Sequence, residues 1–328
     1  MPPRGRSVRA PEFWHNKESV LSFVLSPIGW LYGAITSMRA SAKPTWDAPI
    51  PVICVGNVVM GGAGKTLVST DLAERLKVKG QTPHIIMRGY RGSMSAPTKV
   101  DLNLHNANDV GDEALLLART APTWVGARRA DVAKQATEDG ASVLIMDDGF
   151  QNSSLAKDLS LLVVDAEYGF GNGQICPAGP LRESIKKAAS RAHAVISLGG
   201  SLSKNEMNLP AFVGYTEPTS NDANIHRKRV VAFAGIGRPE KFFNSLKAAG
   251  AELAETISFP DHHPFSSAEI ENVLAKAKAL NSIAITTEKD FVRIPAALRT
   301  DIMSFPVRLR WEQADTFESF ILERTGLS

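Results

Sequence analysis

Between Ser19 and Met38 the chain carries no charged side chain, and Leu21, Val24, Leu25, Ile28, Leu31, Tyr32, Ile35 and Met38 recur at the three-and-four spacing of a helix. One apolar face follows, with Ser22, Ser26, Gly29, Gly33 and Ser37 opposite it and Pro27 expected to kink or divide the helix. The segment is just long enough to cross a bilayer, but the stripe and the proline favour a helix lying in the interface. Two other readings stand beside that one: packing of the stripe on the chain's own core, and a signal peptide ending at Ala40-Ser41-Ala42. Arg39 and the interrupted apolar core count against cleavage.

After a proline-containing linker, the apolar run Ile50 to Val55 reads as a buried strand ending at Gly56. A helix from about Lys65 to Lys79 follows, closed by Gly80, and then a strand from Pro83 to Met87. Helices near 112–119 and 128–138 alternate with strands near 123–126 and 143–146, which predicts a parallel sheet covered on both faces. Beyond it come strands near 159–164, 194–198, 230–234 and 283–287 and a helix over 239–249. The polar stretch Ser201 to Asn224 reads as a mobile surface excursion. The pattern therefore predicts a membrane-associating segment over 1–45, a nucleotide-binding α/β domain over 46–157 and a second, smaller α/β domain over 158–311. A C-terminal helix near 312–328 is free to pack back on the first domain.

Composition changes this picture little. With 328 residues, 44% hydrophobic and 22% charged, the chain has room for two ordinary domains and is neither disordered nor a coiled-coil rod. Two cysteines, Cys54 and Cys176, exclude a disulfide scaffold or a cysteine-rich zinc fold and suggest a reducing compartment. The net charge of +3 sits at one end: Arg4, Arg6, Arg9, Lys17, Arg39 and Lys43 oppose only Glu12 and Glu18 before residue 46. A basic excess confined to an apolar terminus points to anionic lipid rather than to nucleic acid.

The firmest chemistry lies between the strand ending at Gly56 and the helix starting at Lys65. Gly61-Gly62-Ala63-Gly64-Lys65-Thr66 has the letters and the strand-to-helix context of a nucleotide-phosphate loop. Backbone N–H groups there would cradle phosphate, Lys65 would bridge the terminal phosphates, and Thr66 would offer its hydroxyl to Mg²⁺. Val59 stands where the stricter form of the motif has its first glycine. Asp147 and Asp148 end the strand at 143–146, where a doubly wound sheet gathers its ligands, so they are metal candidates or else a polar turn. Asp112 and Glu113 open a helix and could be simple capping residues; His262 could be a solvent-facing imidazole or half of an acid/base pair. Arg88, Arg91, Arg128, Arg129 and Arg182 are candidates for anionic ligands, the first two and the last most of all.

Taken in order, Gly56-Asn57 with the GGAGKT loop, Arg88-Gly-Tyr-Arg-Gly, Val110-Gly-Asp-Glu, Asp147-Asp-Gly-Phe-Gln, Pro177-Ala-Gly-Pro-Leu-Arg-Glu, Ala234-Gly-Ile-Gly-Arg-Pro, Phe259-Pro-Asp-His-His-Pro-Phe and Thr286-Thr-Glu-Lys-Asp resemble the tetraacyldisaccharide 4'-kinases of lipid A synthesis. The resemblance implies a monotopic protein at the cytoplasmic face of a bacterial inner membrane, with two α/β domains joined by a small strand linker. It implies transfer of the γ-phosphate of ATP to the 4'-hydroxyl of tetraacyldisaccharide 1-phosphate, a glycolipid, with no nucleic acid and no obligate protein partner. Carried over, Lys65 and Thr66 handle phosphates and Mg²⁺, Asp147 and Asp148 belong to the metal centre, and Asp112 with His262 activates the sugar hydroxyl. Glu113 supports them, and Gln151 and Arg182 match positions near phosphate. Ala63, Leu67 and Ala114 depart from the usual family letters without removing a charged group. Two other classes fit the loop alone: a membrane-bound nucleotide switch, which would place a lysine where Met60 stands, and a catalytically degenerate nucleotide binder.

Overall fold

A computed structural model describes residues 11–16, 18–202, 207–219 and 225–327. Arg4, Arg6, Arg9 and Lys17 of the basic terminus, and parts of the stretch expected to be mobile, lie outside them. Contacts divide the chain into a larger unit, Ala10–Thr216 with Leu309–Ser328, and a smaller one, Glu217–Arg308.

The larger unit opens with helix α1 (Val20–Ala40), its first turn capped by Ser19. Strand β1 (Val52–Gly56) leads into α2 (Lys65–Val78), β2 (Pro83–Met87) and the short β3 (Thr98–Lys99). Then come α3 (Ala107–Val110), α4 (Asp112–Ala118), β4 (Thr123–Val125), α5 (Arg129–Glu138) and β5 (Val143–Asp147). The sheet does not end there. Strands β6 (Leu159–Asp165) and β7 (Ala194–Leu198), with α6 (Ile185–Ala189) between them, and β8 (Ala211–Pro218) extend it. The nine strands run from β13 (Val307–Trp311) through β8, β7, β6, β1, β5, β2 and β4 to β3, parallel from β8 to β4. Both edges are antiparallel: β3 pairs with β4, and β13 runs against β8, with Glu312 N–H on Val213 O at 3.0 Å and Thr219 N–H on Pro306 O at 3.3 Å.

This corrects the boundary expected at 157/158. An apolar run such as Leu159–Val164 shows that a strand is covered on both faces, but not which neighbour it pairs with. Here Ile53 pairs with Leu159 and Gly56 with Leu162, so β6 is a neighbour of the phosphate-loop strand. The stretch expected to be an excursion holds β8, in register with β7 from Val195↔Ala211 to Leu198↔Gly214. The final helix lies in the larger unit, where Glu318 meets Lys79 of the α2 end at 2.7 Å.

The smaller unit is a four-stranded parallel sheet. Strand β9 (Arg229–Ala234) is followed by α7 (Pro239–Ala248), β10 (Glu252–Ser258), α8 (Ser267–Ala279), β11 (Ile283–Thr287), α9 (Glu288–Phe291) and β12 (Ile302–Phe305), in the order β10-β9-β11-β12. The alternation of β9 builds two cores. Val230, Ala232 and Ala234 pack with Phe242 and Leu246 of α7, whereas Val231 and Phe233 pack with Ile270 and Val273 of α8. A final helix, α10 (Ala314–Thr325), completes the larger unit.

Helix α1 is built in the opposite sense to a soluble amphipathic helix. Its small, weakly polar side is buried: Ser22, Gly29, Gly33, Ser37 and Ala40. Ser22 donates to the carbonyl of Ala178 at 2.8 Å and accepts from Asn172 at 2.8 Å. The apolar stripe faces outward, with Val24, Leu31 and Met38 at 63%, 65% and 73% exposure, which overturns the reading in which it packs on its own core. Pro27 does not divide the helix. Its missing N–H orphans the carbonyl of Phe23, and the Ser26 hydroxyl takes that acceptor at 2.8 Å.

Candidate active site

Strand β1 stands at the centre of its sheet, between β5 and β6, where the strand order reverses; loops leaving the carboxyl ends of these strands define a ligand crevice. The loop 57–64 is held there by backbone pairing. Met60 N–H donates to Pro180 O at 2.8 Å, Arg182 N–H to Val58 O at 2.7 Å, and Val59 bridges Leu181. Gly64 enters α2 with φ +87°, a conformation that other residues rarely adopt, and so aims the first turn of the helix at the crevice.

Around this loop the structure gathers four of the expected residues. Asp148, just past β5, accepts from Arg182 Nη1 at 3.1 Å and lies 3.6 Å from Lys65 Nζ. Burial alone would raise its carboxyl, but those two cations outweigh burial and hold it below the usual range. Arg182 also reaches Gln151 Oε1 at 3.2 Å, and the Gln151 amide donates to Asn57 O at 2.9 Å and to Glu183 Oε1 at 3.2 Å. Glu183 is fully buried and paired through both oxygens with Arg191, each at 2.8 Å.

Asp147 is different. It is buried at the end of β5, accepts from Ser69 Oγ of α2 at 2.7 Å, and its Oδ2 has no hydrogen-bond partner. Burial, then the charge of Glu113, pushes its pKa up to about 7, against the pull of Lys65 and Ser69. Glu113 is therefore electrostatically part of the same site. Asp112 precedes it at the start of α4, 5% exposed, with Oδ1 accepting from Glu113 N at 3.0 Å. Its approach depends on Gly111, at φ +90°, where an added Cβ would stand 2.6 Å from Tyr90 O. The Arg-Gly-Tyr-Arg-Gly turn is thus packed on the loop that delivers Asp112, and Ser93 and Met94 N–H groups bond the carbonyls of Asn108 and Asp109 at 3.0 Å each.

His262 belongs to the smaller unit. It sits at φ +55° in the turn after β10, donates its N–H to Gly235 O at 3.0 Å, and has Nε2 3.3 Å from Lys289 Nζ. His263 is structural: it bonds Glu269 at 2.9 Å and stacks on Phe259. Asp290 is fully buried and accepts from Gly235 N at 3.1 Å and Thr287 Oγ1 at 2.7 Å, while Arg293 spans Asp290, Gly235 O and His263 O. These contacts tie the Gly-Ile-Gly, Asp-His-His and Thr-Thr-Glu-Lys-Asp segments together around the turn that carries His262, at the carboxyl end of the smaller sheet.

Residue letters alone did not single out Ser69, Lys289 or the burial of Arg129. Arg129, 5% exposed, is lowered to about 10 by burial and then by Arg88, with Asp148 and Asp147 acting the other way. Arg88 and Arg91 are exposed at the turn after β2, and Arg128 pairs with Asp131 at 3.2 Å on the surface.

A parallel sheet with a glycine-rich phosphate loop at its switch point and acidic residues ending the neighbouring strand defines a P-loop nucleotide-binding protein. More narrowly, the chain belongs to the tetraacyldisaccharide-1-P 4'-kinase family, whose model matches residues 21–326. It is 46% identical over 323 residues to a tetraacyldisaccharide 4'-kinase of Rhodospirillum centenum, covering 96% of both chains. With that of Paramagnetospirillum magneticum it shares 48% over 326 residues, covering 98% of this chain and 99% of the relative. A crystal structure of LpxK from Aquifex aeolicus in complex with ATP superposes with a TM-score of 0.74 at 25% identity, covering 93% of this chain and all of that one.

Proposed function

We propose that the chain is an ATP-dependent lipid kinase that phosphorylates the 4'-hydroxyl of tetraacyldisaccharide 1-phosphate at the cytoplasmic face of the inner membrane. The observation that carries this reading is the phosphate loop pinned to Pro180–Arg182, with Lys65, Asp148, Gln151 and Arg182 in one network at its mouth. ATP phosphates would take the backbone N–H groups of Gly61, Gly62, Ala63 and Gly64, with Lys65 and Arg182 neutralising their charge. On binding, the phosphates would draw both cations away from Asp148, which now holds them.

Mg²⁺ fits the residues present. The ion takes one or two carboxylates and keeps water and phosphate for the rest, so a protein-only cage is not required. Among the described residues no group of three metal-ligating side chains stands together, but the buried Asp147 Oδ2 has no hydrogen-bond partner and is an oxygen that could serve a cation. Asp147, Asp148 and the Thr66 hydroxyl would hold the ion, which supplies neutralisation of charge on the transferring phosphoryl group. Asp112 takes the proton of the attacking hydroxyl, His262 is the second acid/base group, and Glu113 tunes the carboxylates beside it. The outward apolar face of α1 lies in the bilayer surface, which brings a membrane-held acceptor to a soluble nucleotide.

The test follows label from γ-labelled ATP into tetraacyldisaccharide 1-phosphate with purified protein in detergent. Wild type labels the lipid, and Asp112→Asn and His262→Ala each lose turnover by about a hundredfold or more. ATP consumption without lipid labelling, equal in all three proteins, would overturn the kinase reading.

A further inference from the structure

Away from the phosphate loop, a cleft of about 180 Å³ opens in the larger unit at the carboxyl end of α1. Ala40, the last residue of that helix, lines it together with Lys157, Arg191 and His193, and apolar residues such as Phe150 and Leu155 share the lining. Among the described residues no carboxylate lines it, and neither do Lys65, Thr66 or Asp148, so it is not the nucleotide crevice.

The lining is rich in donors that the protein does not use. Arg191 gives Nη2 to both oxygens of Glu183; its Nη1 has no hydrogen-bond partner but is closed off from solvent, so an anion would reach that nitrogen through a shift of the side chain. Among the described residues Lys157 makes one hydrogen bond, to Phe150 O at 3.2 Å, and its ammonium lies over the Phe150 ring. The backbone N–H of Ser160 donates to His193 Nδ1 at 2.9 Å, which leaves the ring proton on Nε2. Burial pushes Lys157 and His193 down, and the charge of Arg191 lowers Lys157 further; Cys54 and Glu183 oppose that for Lys157, and Asp158 opposes Arg324 for His193. Two cations close enough to repel one another, with the one buried carboxylate beside them bonded to Arg191, are an arrangement that an anion stabilises.

We propose that this cleft binds the phosphate of an anionic phospholipid headgroup and so fixes α1 at the membrane surface. The source follows from position. A helix lying in the interface buries its apolar face at the boundary between headgroups and acyl chains, and the cleft opens beside the end of that helix, so on that reading it would stand among the headgroups. The lipid source rests on the reading of α1 as an interfacial helix, whereas the capacity for phosphate does not.

Co-flotation of the full chain with phosphatidylcholine vesicles, with and without phosphatidic acid, tests the inference. Wild type gains affinity on the anionic vesicles. Lys157→Gln loses about fivefold of that gain, and Lys157→Arg keeps it. An unchanged gain in Lys157→Gln, or an equal loss in the exposed control Lys187→Gln, would overturn the site, since either result means diffuse surface charge. Imidazole NMR of His193 with inorganic phosphate at constant ionic strength is the second arm. A His193 shift, with phosphate stripping the vesicle gain, would reassign the cleft to soluble phosphate compounds. A His193 shift in a protein that floats with no vesicle would overturn the interfacial reading of α1 instead. Neither arm reads kinase turnover, so failure here is distinct from failure of the kinase assignment.

Discussion

Asp147 shows what a reactive site demands of one residue. Its ordinary pKa of 3.8 applies in the unfolded chain, and in the fold burial followed by Glu113 raises it to about 7. Between those values the folded protein holds a proton that the unfolded one has lost, so this group's contribution is fullest below pH 3.8 and is lost as pH rises through 7. At about 1.4 kcal/mol per unit the loss reaches roughly 4 kcal/mol at most. Asp147→Asn is therefore expected to raise the thermal midpoint of the chelator-treated, nucleotide-free protein above pH 7 while abolishing lipid phosphorylation. A midpoint that falls at pH 8 would show that the carboxylate is compensated in a way its surroundings do not reveal. The letters around Lys65 and Asp147 were legible because each motif is contiguous. Ser69 was not, because its role depends on meeting a carboxylate distant in the chain, and no local pattern encodes that meeting. Asp112 was ambiguous for the opposite reason: an acidic residue opening a helix is ordinary, and only its burial sets it apart from a surface cap.

At the scale of the element, periodicity reveals a helix and its two faces but not which face turns inward. In α1 the inward face is the small one. An added Cβ at Gly29 would stand 2.6 Å from the backbone carbonyl of Ile175, and one at Gly33 would meet the Ile175 side chain. The first obstacle is backbone and cannot yield cheaply, whereas the second is the end of a side chain. Gly29→Val should thus destabilise the docking of α1 by about 1–3 kcal/mol and expose the Ala10–Ala42 segment to limited proteolysis, with Gly33→Ala the milder change. Equal protease resistance of Gly29→Val and wild type would argue against this packing. Strand β8 is not legible in the letters: Ala211-Phe-Val-Gly-Tyr-Thr shows no apolar and polar alternation, and only in the fold do Phe212 and Gly214 turn inward. Helix α8 was missed despite its capping box of Ser266 and Glu269, a readable start signal.

For the whole molecule, two units with separate cores predict two unfolding events. Phe233 is fully buried in the α8-side core of the smaller unit, and Phe233→Ala should lower one calorimetric transition by about 3–5 kcal/mol. ATP with Mg²⁺ should raise the other, by about 2.7 kcal/mol at a hundredfold excess over Kd. A single transition that both perturbations move together would mean the units unfold as one. The fold class was readable from alternating strands and helices. The domain boundary was not, because sheet membership is decided by pairing between segments remote in sequence.

The division of the chain inside β8 and β13 also sets an order of assembly during synthesis. Among the described residues the smaller unit is one segment, Glu217–Arg308, and its strands and helices leave the ribosome in a single run. The larger unit is begun first and finished last, since its outermost strand and closing helix follow the smaller unit in the chain. A nascent chain halted at Arg308 thus carries a complete smaller unit and every letter of the phosphate loop. The flank of β8 that β13 would cover is then still bare, a site for chaperones to shield or for neighbouring chains to pair with.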